Sequence, residues 1–191
     1  MQNRRLPKVI IFEVEENEIS IRQLRPTDAS LLLKWLSDPI VLEYYEGRDH
    51  PHDMALIQKN FYENREGVTP CIIQYKGQEI GYIQFYLIDE EEKKEYGYEE
   101  FNGKIYGMDQ FIGEVECWNQ GIGSLVIKEM VSYLVVNKEA KKIVMDPQTW
   151  NTRALRVYEK NGFTKKKLLE QHEWHEGELR DCWLMEYEVI K

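Results

Sequence analysis

At 191 residues, with 42% hydrophobic and 12% aromatic side chains, the chain is long enough to fill one core and too apolar to remain disordered. A net charge of −9 argues against nucleic acid as a partner, because phosphate backbones require basic patches, and is compatible with cationic partners. Three scattered cysteines, Cys71, Cys117 and Cys182, form no CxxC pair; they exclude a disulfide framework and fit a reducing compartment.

No apolar run approaches the roughly 18–20 residues that span a bilayer. After the basic Met1–Lys8, the apolar run Val9–Phe12 is too short for a secretory signal, so a cytoplasmic protein is expected. Residues 1–17 read as an irregular or strand-like extension, and 18–191 as a single domain. Glu18–Leu24 alternates and predicts a strand. Pro26-Thr27-Asp28 opens a helix with Leu31, Leu32, Trp35 and Leu36 on one face. The chain turns after Pro39, and Met54–Asn64 predicts a second helix. Cys71–Tyr75 and Ile80–Ile88 flank Lys76-Gly77 as a hairpin. The tract Asp89–Glu100 holds seven acids and two lysines, a local charge of −5; it is solvated surface or an acidic lip over a neighbouring site. Ile105–Glu114 reads as a central strand, Gly121–Asn137 as a helix, and Lys142–Asp146 as a short buried strand held extended by Pro147. Residues 151–161 form the next helix, stopped at Gly162, and Phe163–Leu169 with Cys182–Val189 read as a closing strand pair. The order β-α-α-β-β-β-α-β-α-β-β predicts an α/β protein, a mixed sheet with helices on both faces.

Two segments carry most of the chemistry. Gly121 and Gly123 remove side chains where a helix begins, which either eases helix entry or lets successive N–H groups face an anion in the field of the helix dipole. Asn151 is a good N-cap for the following helix, and Tyr158 lies seven residues on, about two turns or roughly 10 Å along it. Such a spacing suits a long ligand with a phosphorylated end and a reactive end, as in acetyl-coenzyme A; a capped helix with a core tyrosine is the simpler explanation of the same residues.

The pattern Asn151, Ala154, Tyr158, Lys160, Gly162, Phe163 together with Gly121-Ile122-Gly123 resembles the GCN5-related N-acetyltransferase (GNAT) superfamily over about residues 18–189. The pattern is broken at Trp118, where the family usually has Arg or Gln. Tyr106–Gly113, Met145-Asp146-Pro147, Asn151–Tyr158, Trp35–Asp38, Glu46–Asp49, Glu173–Gly177 and Leu184–Tyr187 are similar to aminoglycoside 6′-N-acetyltransferases. The resemblance implies a GNAT fold with splayed central strands, acetyl-CoA as cosubstrate, and an aminoglycoside or other amine as acceptor. It implies acetyl-CoA contacts at Phe111, Ile112, Gln120, Gly121, Ile122, Gly123, Ser124, Asn151, Ala154 and Tyr158. An acetyltransferase for a polyamine, amino acid or protein N-terminus is the nearest alternative, and a non-catalytic acyl-CoA-binding module the more distant one.

Acyl transfer to an amine requires a proton acceptor, an oxyanion site and a proton donor. The resemblance places the base at Asp109, whose carboxylate lies in an apolar strand; pairing with a neighbouring Lys or Arg is its structural alternative. Main-chain N–H groups near Gln110 to Ile112 suit the oxyanion, and Tyr158 suits the acid that meets the leaving thiolate. Asp146 would hold a second ammonium or serve as a strand-end turn residue. Trp35 and Tyr98, with Tyr44, Tyr45 and Tyr96, offer walls for sugar rings or packing for the core. Cys117 is a candidate nucleophile beside the glycine loop or a plain buried thiol. His172 and His175 do not form the HExxH arrangement of a zinc site, and His50 and His52 read as loop residues. No metal, membrane or nucleic acid is expected, and the protein would be a monomer or homodimer.

Overall fold

Period-two alternation sorts the apolar side chains of the strands onto two faces, and helices cover both. The computed structural model describes residues 9–189. Its strands are β1 (Ile10–Val14), β2 (Ile19–Gln23), β3 (Val68–Tyr75), β4 (Gln78–Leu87), β5 (Ile105–Ile112), β6 (Lys142–Met145), β7 (Thr164–His175) and β8 (Glu178–Glu188). They form one open sheet in the order β1-β2-β3-β4-β5-β6-β8-β7. Every neighbouring pair is antiparallel except β5 and β6.

Along β5, Tyr106 and Met108 enter a core shared with α5 (Ile122–Lys138) and α6 (Thr152–Lys160). Phe111 points the other way, beneath α1 (Ala29–Trp35), α2 (Pro39–Leu42) and α3 (Met54–Phe61). Ile105 joins a smaller cluster with Tyr96, Tyr98, Val144 and Leu184 beside α4 (Glu90–Tyr96). Among the described residues no helix is long and apolar enough to cross a membrane.

The feature that positions the site is a short parallel ladder. β5 and β6 pair only at Ile105, Tyr106 and Gly107 against Lys142, Ile143 and Val144. Beyond Gly107, β4 keeps its pairing with β5 out to Ile112, and β8 holds β6 to Met145. Each strand is thus secured by its outer neighbour while the two part, giving the splayed centre expected of the fold.

One open reading resolves and three change. Residues 10–14 of the expected extension are a paired strand, antiparallel to β2; residues 1–8 lie outside the described residues. Where a turn was expected after Pro39, Asp38 caps Ile40 N–H and α2 makes a single turn. The charged tract contains α4, because Asp89 accepts from Glu91 and Glu92 N–H while Glu92 returns to Asp89 N–H. This capping box was legible in the sequence, hidden by the attention that the charge run draws. The closing strands also continue through residues 170–181 and meet at Glu176-Gly177, both left-handed (φ 50° and 85°). Polar outward residues masked that continuation.

Candidate active site

The parting of β5 and β6 opens a cleft of about 600 Å³. Adjacent residues of a strand face opposite ways, so Asp109 and Gln110 reach it from opposite faces of the sheet. Gln110 turns towards α6, where its Nε2 donates to Tyr158 Oη at 2.5 Å. Asp109 turns towards the α1–α4 side, where its Oδ2 accepts from Gln84 Nε2 at 2.7 Å. Gln84 stands directly opposite Asp109 in the antiparallel ladder. Its carbonyl is claimed by Tyr82 Oη at 2.8 Å and by Arg65, which fixes the amide with its N–H₂ end towards the carboxylate.

Burial dominates the electrostatics of both groups. It raises Asp109 to about 7 against the opposing pull of the Gln84 hydrogen bond, with Asp146, Glu173 and Glu92 adding like-charge repulsion. A carboxyl group tuned to this range exchanges protons near neutrality. Burial also lifts the Tyr158 phenol well above its ordinary value, aided by the charges of Asp109 and Asp146. Tyr158 therefore keeps its proton, and because its oxygen accepts from Gln110, its own O–H remains free to donate.

One wall of the cleft is acidic. Asp146, Glu173 and Glu46 line it beside Asp109. Asp146 is already engaged: His172 Nε2 lies 2.9 Å from its Oδ2, Tyr96 Oη 3.4 Å away, and His172 Nδ1 is 3.0 Å from Glu95 Oε1. A carboxylate beside each ring nitrogen favours the doubly protonated ring, in which both N–H groups donate. The Asp146 hydrogen bond is the main cause that raises His172 above its usual value. Glu173 accepts from Gln148 Nε2 at 2.9 Å, and burial raises both Glu173 and Glu46.

The opposite half is built from main chain. Gly121 adopts φ 80° as the N-cap of α5, a conformation that glycine reaches without a Cβ penalty. Trp118 Nε1 donates to the Ile112 carbonyl at 2.8 Å, tying the loop to the end of β5. Main-chain groups alternate in direction along a strand. Because the Ile105 carbonyl bonds Ile88 N–H of the β4 segment, those of Gln110 and Ile112 face away from β4, towards the gap. Asn151 Oδ1 caps α6 by accepting from Ala154 N–H at 3.1 Å. Asn161 Nδ2 reaches Ser124 Oγ at 3.0 Å and clamps the two helices together. Cys117 lines the cleft, but burial pushes its thiol up, which disfavours the thiolate a nucleophile needs.

Asp109, Phe111, Ile112, Gly121, Gly123, Ser124, Asp146, Asn151, Ala154 and Tyr158 therefore converge on one cleft. Four expected site residues do not. Trp35 is 1% exposed, donates from Nε1 to Glu114 at 2.8 Å, and packs so tightly that a Cβ on Gly113 would collide with its ring. Tyr98 is buried, with its hydroxyl on Glu186 Oε2 at 2.6 Å. Ile122 faces the α5–α6 core, and the Gln120 amide folds back onto the Glu116 carbonyl. Helical periodicity already put Trp35 on the apolar face of its helix with Leu31, Leu32 and Leu36. No comparable sign in the sequence points to Gln84 and Gln110, whose importance comes from register and from which face each occupies.

A cleft between parting strands, lined by a buried carboxyl group raised to about 7 and by a protonated phenol, is compatible with acyl transfer. A profile of the acetyltransferase (GNAT) domain matches residues 25–171, and the chain belongs to this family of acetyl-CoA-dependent N-acetyltransferases. It is 27% identical over 164 residues to the aminoglycoside N(6′)-acetyltransferase type 1 of Klebsiella pneumoniae, covering 84% of this chain and 81% of that protein. The Serratia marcescens protein of the same name gives the same figures. The solved structure of AAC(6′)-Ib with ribostamycin and coenzyme A is similar at a TM-score of 0.73 and 25% identity, over 90% of this chain and 93% of that one. Spermidine N-acetyltransferase from Vibrio cholerae shares the fold at a TM-score of 0.72 and 15% identity, over 90% and 95% of the two chains.

Proposed function

We propose that the chain transfers the acetyl group of acetyl-CoA to the 6′-amine of aminoglycosides by direct attack, with Asp109 as base and Tyr158 as acid. The observation that carries the reading is the placement of these two groups on opposite faces of one cleft whose acceptor wall is acidic. Similarity to aminoglycoside N(6′)-acetyltransferases supports the substrate class.

The pantetheine arm lies between β5 and β6, with the pyrophosphate against the Gly121–Gly123 turn. The acceptor amine is mostly protonated at neutral pH; Asp109, held near 7, takes one proton, and the nitrogen so freed attacks the thioester carbonyl. Main-chain N–H groups at the gap, from Gln110 and Ile112, receive the developing oxyanion. As the C–S bond breaks, Tyr158 donates to the thiolate and recovers a proton from the attacking nitrogen, which is left as the neutral amide. Neutralisation of Asp109 in the preceding proton transfer removes one of the charges that hold the phenol proton so firmly. The remaining acids select a polycation: an ion pair at about 4 Å is worth roughly 4 kcal/mol at an effective dielectric near 20, before desolvation.

Thiol release from acetyl-CoA with kanamycin or tobramycin tests the reading, with spermidine, free amino acids and peptides as competing acceptors. Turnover confined to the latter group would transfer the same machinery to another amine.

A further inference from the structure

The loop that opens α5 carries no basic side chain ahead of its glycines: Trp118, Asn119 and Gln120 precede Gly121. The indole takes part in a different arrangement. Arg153, on the first turn of α6, lies with its Cζ 3.9 Å from the Trp118 ring centroid and 4.1 Å from that of Tyr44. Tyr44 in turn packs edge-on to Trp118 and against Trp150, each at 5.6 Å between centroids. All four side chains line the cleft.

The two rings are perpendicular, at an interplanar angle of 89°, so the guanidinium stacks on one of them and turns an edge towards the other. Among the described residues the ion-paired arginines are Arg22, Arg25, Arg48 and Arg180, and Arg153 is not one of them. Glu43 is the one nearby carboxylate that favours its charge, and burial outweighs it. A cation held against two perpendicular rings in the cleft wall, outside the ion pairs of the described residues and beside a glycine turn that lacks a basic side chain of its own, matches the chemistry of phosphate recognition.

We propose that Arg153 is the residue that meets the phosphates of coenzyme A, supplying from α6 the positive charge that Trp118 does not supply from the α5 loop. Trp118 serves that cation as a platform.

Calorimetric titration without any acceptor tests this independently of the aminoglycoside assignment. The ligands are CoA, dephospho-CoA and, by displacement, pantetheine, which carries no phosphate. Arg153→Met keeps an unbranched stem within the stack and removes the charge; it is expected to weaken CoA about tenfold, or about 1.4 kcal/mol, and to flatten the salt dependence, while pantetheine binding holds. Arg153→Lys should recover part of the loss. An equal loss for dephospho-CoA assigns the contact to the diphosphate, and retained dephospho-CoA affinity assigns it to the 3′-phosphate. Unchanged CoA affinity in Arg153→Met, or an equal loss for CoA and pantetheine, overturns the proposal, the latter because it would mark the stack as purely structural.

Discussion

The two halves of the cleft are made of different materials. The half proposed for coenzyme A comes from two short contiguous segments, around Gly121 and around Asn151, and its shape rests on a left-handed glycine and a capped helix. The half proposed for the acceptor is gathered from β4, β5, β6, β7 and α4, and rests on side-chain charge: Asp109, Asp146 and Glu173 with His172 among them. Main chain gives a site whose geometry is set by local conformation and hardly titrates. Side chains drawn from distant elements give a site whose members shift one another's protonation, so its properties should respond to pH and to single charge changes. Variants that separate these behaviours test the division.

Asp109→Asn should have the largest effect. Loss of the base is expected to lower kcat by about 10²–10⁴-fold, and the wild-type kcat/KM should rise with pH through an apparent pKa near 7. Stability should move in the opposite direction. Because its folded pKa is raised, Asp109 holds a proton that the unfolded chain releases between the ordinary carboxylate range and about 7, so the wild type loses stability as pH rises across that window. A neutral amide at this position would not suffer that loss, and the variant should melt higher than wild type at pH 8. Full activity, or a lower melting temperature at pH 8, would remove Asp109 from the role of buried base.

Tyr158→Phe comes next, with kcat expected to fall about 10²-fold and the KM for acetyl-CoA nearly unchanged. The variant leaves Gln110 Nε2 without its 2.5 Å acceptor, which costs about 1–3 kcal/mol of stability. Calorimetric melting beside the kinetics separates that structural cost from the chemical one. A kcat equal to wild type would show that the thiolate leaves without the phenol.

The same division explains what the sequence disclosed. Gly121, Asn151 and Tyr158 announce themselves because their function depends on local geometry at fixed spacing, and the order of the main strands and helices follows from periodicity. The acceptor half was only partly legible. Asp109 and Asp146 were found, but Gln84 gains its role by standing opposite Asp109 in the β4–β5 register, and His172 by lying on a strand that reads as polar surface. Trp35 and Tyr98 were drawn to the cleft by aromaticity. Their actual partners, Glu114 for one and the Lys142–Glu186 pair for the other, lie far away in the chain, beyond any pattern of spacing.

Asp146→Asn should cut between the halves. With one acid fewer on the acceptor wall, the KM for a polycationic acceptor is expected to rise about fivefold, near 1 kcal/mol, while the KM for acetyl-CoA stays put. Parallel changes in both constants would mean that the two halves are not separable.

The smallest effect belongs to His172. Its folded pKa is raised, chiefly by Asp146, so the bridge to Asp146 and Glu95 contributes fully below the ordinary histidine pKa and is lost as pH rises through the folded value. His172→Gln should therefore be less stable than wild type by about 1 kcal/mol at pH 6, with the difference shrinking towards zero at pH 9. The cation that fades is also the one that occupies Asp146 in place of an acceptor ammonium. Wild-type affinity for a polycation should thus improve over the same rise in pH, and the variant should show less of that gain. A stability difference that does not change with pH would leave His172 a packing residue, and would make the acceptor wall as indifferent to protons as the half built from main chain.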